Sequence, residues 1–238
     1  MGELDFTISR TVGASHITPN GQMRYSAMID MLQDCEGFQL DSLTLLQDYL
    51  RENNIGIFLT SRQLDIKKMP TYAQELNVYT AVYENRAFYG ERNTNITSSK
   101  GEMLICSYAS GAFVKLDTLR PHRMPDEIMS NFTMREKFDM EYLPRKIDVS
   151  SCEFHKLGEI KTPRYFLDVY NHVNNARYVD IACEFLPGEL SFSRIRIEFK
   201  TPAVYGDVIE VFTCEQNGKT IADLRSGSKN YATVEFTI

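Results

Sequence analysis

Two stretches of this 238-residue chain carry the same helical signature, and a chain that repeats its elements in order folds by packing copies of one unit together. Tyr178, Ile181, Ala182 and Phe185 fall at i, i+3, i+4 and i+7, one face of an amphipathic helix; Tyr25, Met28, Ile29 and Leu32 do the same in the first half. Aligning Arg24-Tyr25 with Arg177-Tyr178 puts Ser15 opposite Asp168 and Pro19 opposite His172. Downstream, Lys68-Met69-Pro70 and Glu75-Leu76 echo Lys200-Thr201-Pro202 and Asp207-Val208 at a shorter offset. The first copy therefore holds an insertion over much of Phe38 to Gly56, including Leu43, Leu45, Leu46, Tyr49 and Leu50.

Each half reads as a strand, a helix and a run of strands. Leu76, Val78, Thr80 and Val82 alternate with polar neighbours, Ile66-Lys67 and Met103-Leu104-Ile105 lie in further strand-like runs, and Ala232, Val234, Phe236 and Ile238 alternate to the end. Asn217-Gly218 between such runs predicts a two-residue hairpin. The expected fold is α+β, with two antiparallel sheets each wrapped around a long helix. The boundaries follow: 1–117 for the first unit, 118–146 for a Pro-, Met- and charge-rich crossing linker, and 147–238 for the second.

Composition removes whole classes. Hydrophobic residues make up 43% of the chain and aromatics 11%, enough for a sizeable core. A net charge of −6 and a pI near 5.3 exclude the basic face of a nucleic-acid binder. Cys35, Cys106, Cys152, Cys183 and Cys214 are odd in number and scattered, with no metal spacing, and read as buried thiols in a reducing compartment. No targeting pattern and no long apolar run stands out, so the expected location is the cytoplasm, away from membranes.

The chemistry-bearing segment is Asp168-Val169-Tyr170-Asn171-His172-Val173-Asn174-Asn175, an acid and an imidazole on a turn just before the second helix. Asn174 or Asn175 is the expected N-cap. N–H groups around Val173, Asn174 and Asn175 at the helix start would polarise a carbonyl oxygen, with Asp168 and His172 flanking it. Taken alone, an Asp and a His at such a place more often shape a turn and cap a helix. The first copy lacks both ionisable groups and is richer in Leu, Met and Phe, so it is expected to form the apolar pocket, with Met28, Leu32 and Phe38 as lining.

Three segments in order carry a resemblance: Met31-Leu32-Gln33-Asp34, then Asp117-Thr118-Leu119-Arg120-Pro121-His122-Arg123-Met124-Pro125, then Asp168 to Tyr178. Together they resemble bacterial and plant acyl-acyl carrier protein thioesterases, which have two tandem hotdog domains. The resemblance implies hydrolysis of a fatty acyl-carrier thioester, with Asp168 as the acid and His172 as the histidine. It implies acyl carrier protein as partner, with no metal and no dissociable cofactor. The family's intervening Asn falls on Tyr170, with Asn171 adjacent, and its Glu and neighbouring Cys fall on Pro202 and Ala203. A thioester suits so reduced a set, because a leaving thiol with a pKa of about 8.5 departs without strong acid assistance. Asp168 would serve as base or nucleophile and His172 would position water or exchange a proton. An acyl-CoA thioesterase on the same scaffold and a catalytically weak acyl-binding hotdog protein are the alternatives. Arg120, His122, Arg123, Arg145, Lys146 and Arg164 read first as a solvated face, and secondly as a patch for an acidic carrier. The oligomeric state is left open, a homodimer included.

Overall fold

Strands build more of this protein than helices do. The computed structural model describes residues 2–188 and 190–238. In chain order its first half comprises β1 (Gly2–Glu3), β2 (Asp5–Thr11), α1 (Tyr25–Asp41), α2 (Thr44–Glu52), β3 (Ile55–Ile66), β4 (Glu75–Arg86), β5 (Tyr89–Ser98) and β6 (Met103–Lys115). A crossing segment holds α3 (Asp126–Met129) and β7 (Phe132–Thr133). The second half comprises β8 (His155–Lys161), α4 (Asn175–Phe185), β9 (Arg194–Phe199), β10 (Val208–Gln216), β11 (Lys219–Ser226) and β12 (Lys229–Thr237). The β10–β11 turn is the expected hairpin, with Asn217 at φ 54° and Gly218 at φ 72°. Both residue types tolerate that left-handed backbone, which matches the twist of the flanking strands.

The two expected sheets are one. Ten strands run in the order β2-β4-β5-β6-β3-β9-β12-β11-β10-β8, five from each half. The seam is antiparallel pairing of β3 with β9, from Ser61 opposite Glu198 to Asp65 opposite Arg194. Left apart, each half would expose a strand edge, and joining the edges removes unpaired N–H and C=O groups from both. Arg194 clamps the seam with two bonds to Asp65 at 2.6 and 3.0 Å.

Helices α1 and α4 pack side by side against this sheet. Met28, Ile29 and Leu32 of α1 and Val179, Ile181 and Ala182 of α4 join Val78, Ile96, Leu104, Ile197, Val211, Val234 and Phe236 in a single buried cluster. Each large side chain so buried contributes roughly 1.5–3 kcal/mol. Gly158 of β8 lets the end of α4 settle, since a Cβ there would stand 2.2 Å from the Phe185 ring. The crossing segment straps the sheet: β7 pairs with β1, the Gln63 amide donates to the Glu141 carbonyl at 2.8 Å, and Arg196 donates to the Pro144 carbonyl.

The repeat is real, but its register differs from the sequence alignment. The 3₁₀ turns Ala14–His16 and Arg164–Phe166, the bridges Ile17–Met23 and Leu167–Val173, and the starts of α1 and α4 all coincide in order. Thr18 thus stands opposite Asp168, and Gln22 opposite His172, in place of Ser15 and Pro19. A helical stripe recurs every three or four residues, so an alignment slipped by about a turn fits the apolar pattern equally well. Downstream, Thr71 bridges Gln22 as Val204 bridges His172, which sets Ala203, not Pro202, opposite Pro70. The insertion is confirmed as α2, a longer first helix and a longer β3.

One further reading is corrected. Cys152 and Cys214 form a disulfide; Cys35, Cys106 and Cys183 are free. The reading of five unpaired thiols fails, and with it the argument for a reducing compartment built on them. No helix among the described residues is long and apolar enough to cross a membrane.

Candidate active site

The Asp168 loop is held by its own side chain. Asp168 Oδ1 accepts the backbone N–H of Tyr170 at 2.8 Å and of His172 at 3.1 Å. The Asp168 N–H donates to the His172 carbonyl at 2.8 Å, and Leu167 bridges Val173, closing a tight loop. At its tip Asn171 takes φ 59°, where the first half has Gly21 at φ 79°. Asn tolerates that conformation better than other side chains with a Cβ. Asn171 is exposed and makes no side-chain hydrogen bond among the described residues, so its part here is conformational.

The loop leads into α4 through Asn174, the N-cap, whose Oδ1 accepts the Ala176 N–H at 2.9 Å. Two expected oxyanion donors are already engaged. The Val173 N–H donates to the Ala203 carbonyl and the Asn174 N–H to the Phe166 carbonyl, each at 2.8 Å. These bonds stitch the loop to the chain following β9 and to the 3₁₀ turn, so neither N–H is free to polarise a substrate. The Asn175 N–H, at the first helical residue, has no partner among the described residues.

The loop meets the first half of the chain at two points. Phe58 of β3 packs against the rings of Tyr170 and His172, with centroids 5.7 and 6.0 Å apart. Gln33 of α1 bonds both asparagines: its Nε2 donates to Asn174 Oδ1 at 3.4 Å and its Oε1 accepts from Asn175 Nδ2 at 3.2 Å. Sequence reasoning did not assign Gln33 a role, although it lies in a segment that carries the family resemblance. Behind the loop, the buried Tyr178 hydroxyl accepts the Ala203 N–H at 2.9 Å; burial pushes its pKa up to about 12, so it stays a neutral phenol. Pro202 is exposed and lies beyond the end of β9, in the chain leading to β10.

A cavity of about 420 Å³ begins here. Tyr170 and Asn175 line it, together with Gln33 and Leu40 of α1, Leu46 and Leu50 of α2, and Leu43 between the two helices. Its apolar wall is shared between the inserted segment, with Leu43, Leu46 and Leu50, and the sheet, with Ile57, Leu59, Val82 and Phe113. Met28, Leu32 and Phe38 are not part of it: Met28 and Leu32 have no exposed surface and fill the core, while Phe38 is 44% exposed beneath the Arg10 guanidinium. On α1, the face toward Gln33, Glu36 and Leu40 lines the cavity, and the Met28–Leu32 stripe turns toward the sheet.

The arrangement sets a carboxylate, an imidazole and a helix N-terminus beside a largely leucine-lined cavity, which suits attack on a carbonyl carrying an acyl chain. Sequence models of two adjacent domains match the chain: the acyl-ACP thioesterase N-terminal domain over residues 4–132 and the C-terminal domain over residues 151–233. The chain belongs to the acyl-ACP thioesterase family. It is accordingly a thioester hydrolase, acting on fatty acyl groups carried by acyl carrier protein. Its fold is similar to the crystal structure of an acyl-ACP thioesterase from Bacteroides thetaiotaomicron, with a TM-score of 0.88 at 20% identity, covering 98% of this chain and 97% of that one. It is also similar to a 12:0-ACP thioesterase from Umbellularia californica, with a TM-score of 0.82 at 17% identity, covering 98% and 96%. No curated protein matches the sequence. The double hotdog expected from the resemblance is the fold observed.

Proposed function

We propose that Asp168 and His172 hydrolyse the acyl-carrier thioester at the mouth of the α1–α2 cavity, with the acyl chain lying inside it. The observation that carries this reading is the continuity between loop and cavity through Tyr170 and Asn175. Asp168 spends one carboxylate oxygen on the loop and keeps Oδ2 without a hydrogen bond among the described residues, available as base or nucleophile. The ring nitrogens of His172 likewise have no hydrogen-bond partner among them, which leaves the imidazole able to hold water or take its proton. The Asn175 N–H and the positive end of α4 face the developing oxyanion. Acyl carrier protein is the partner and the cytoplasm the proposed location. Turnover on a panel of acyl-carrier substrates, set beside matched acyl-CoA thioesters, tests the assignment: faster turnover of the CoA esters would move it to the alternative donor.

Two variants extend that test. His172→Ala is expected to lower kcat by about 10² to 10⁴, the usual contribution of a positioned acid or base. An unchanged kcat would leave His172 only its packing against Phe58. Leu46→Phe, which fills the cavity from α2, is expected to shift preference toward shorter chains. Met28→Phe, placed in the core, should instead cost roughly 1–3 kcal/mol of stability with no change in the length profile. A length shift in Met28→Phe and none in Leu46→Phe would put the chain on the other side of α1.

A further inference from the structure

The inner part of the cavity is not plain hydrocarbon. Glu36, Gln39, Arg62 and Arg92 all line it, beside Leu40, Leu43 and Ile57. Glu36 is the hub: Arg62 donates to its two carboxylate oxygens at 3.0 and 2.6 Å, and Thr94 adds a bond at 2.7 Å. Arg92 bonds the Glu36 carbonyl at 3.4 Å and Gln39 Oε1 at 3.2 Å. That bond fixes which way the Gln39 amide points, since only its oxygen can accept from a guanidinium. Gln39 Nε2 therefore faces away from Arg92. Although Gln39 has no exposed surface, this Nε2 has no hydrogen-bond partner among the described residues, and neither does Nε of Arg62, which is 1% exposed. Arg62 alone bonds the Glu36 carboxylate, while Arg92 reaches only the Glu36 backbone carbonyl and forms no ion pair among the described residues. The other carboxylate bordering the cavity, Glu91, is engaged by the Tyr83 hydroxyl.

Buried donors without acceptors penalise an all-hydrocarbon ligand, and a site with such donors discriminates strongly against analogues lacking the matching oxygen. Resting on the reading that the acyl chain occupies this cavity, we infer that the preferred chain bears a hydroxyl or keto oxygen part-way along it, received by Gln39 Nε2 and the Arg62–Arg92 cluster. The place of that oxygen follows from α1. Gln33, at the catalytic helix start, and Gln39 lie six residues apart on one helix, about 9 Å at 1.5 Å per residue. The oxygen thus sits well down the chain, beyond the carbons next to the thioester.

The test is a positional series. Acyl-carrier thioesters of one chain length, plain or with a hydroxyl or keto group moved stepwise from the thioester, are compared by kcat/KM. At one mid-chain position the oxygenated substrate should exceed the plain chain at least tenfold, and Gln39→Leu should erase that ratio. A flat profile, or one in which the plain chain is preferred throughout, overturns the inference. Calorimetric binding of the matching free acids to the unaltered protein separates it from the hydrolytic assignment. Selective binding of the oxygenated acid without turnover of any thioester would sustain the oxygen site and sink the role given to Asp168. Equal binding of plain and oxygenated acids would sink the oxygen site and leave hydrolysis untouched.

Discussion

Asp168→Asn is expected to lower kcat by about 10² to 10⁴ while leaving the protein folded. The substitution is unusually clean because of how the loop is built. Oδ1 accepts the Tyr170 and His172 N–H groups, and an amide oxygen accepts them equally well, so the loop keeps its shape. What changes is the other oxygen, which becomes an NH₂ group able neither to attack a carbonyl nor to take a proton from water. Asp168→Ala removes both functions, and its loss of rate would mix lost chemistry with a loosened loop. Comparing kcat for the two, with near-ultraviolet circular dichroism as the check on folding, separates the roles. An Asn variant with wild-type kcat and an Ala variant without it would reduce Asp168 to a residue that shapes the loop.

What the sequence made legible was local. The helical faces of α1 and α4, the Asn217-Gly218 hairpin and the Asn174 cap each depend on residues within a few positions of one another, where periodicity and turn chemistry speak directly. Asp168 and His172 were singled out as candidates for the same reason: one short loop holds both. The features that were missed join distant parts of the chain. The β3–β9 seam pairs residues such as Asp65 and Arg194, 129 positions apart, and the Cys152–Cys214 disulfide spans 62. Gln33 reaches Asn175 across 142 positions; its segment carries the family resemblance, but no local pattern points to that contact. The cavity lining was misjudged on subtler grounds. Met28 and Leu32 are the apolar residues expected of a pocket, but the same property draws them into the core. The face of α1 that borders the cavity carries Gln33, Glu36 and Gln39, which an apolar criterion passes over.

Glu36→Gln is expected to destabilise the protein by about 3–5 kcal/mol, the cost of leaving a buried charge without its counterion. Arg62 has no exposed side-chain surface and the Glu36 side chain is 11% exposed, so solvent cannot replace what the substitution removes. The amide keeps one acceptor for Arg62, but its NH₂ group meets the second guanidinium N–H donor to donor. The pH dependence identifies the same group. Burial alone would raise the Glu36 carboxyl, but Arg62 and Arg92 beside it outweigh burial and hold it below its ordinary value of 4.5. A carboxyl depressed in the folded state contributes stability that is fully present above its unfolded pKa and is lost as pH falls through the folded one. Denaturant unfolding of the wild type should therefore weaken below about pH 4.5, and Glu36→Gln should show a shallower acid slope from a lower starting stability. Adding Arg62→Met to the Gln variant should recover part of the loss, because the orphaned charge leaves with its side chain. A loss under about 1 kcal/mol, with an acid slope equal to that of the wild type, would mean that water reaches the cluster through the cavity and that Arg62 does not depend on Glu36 for its charge.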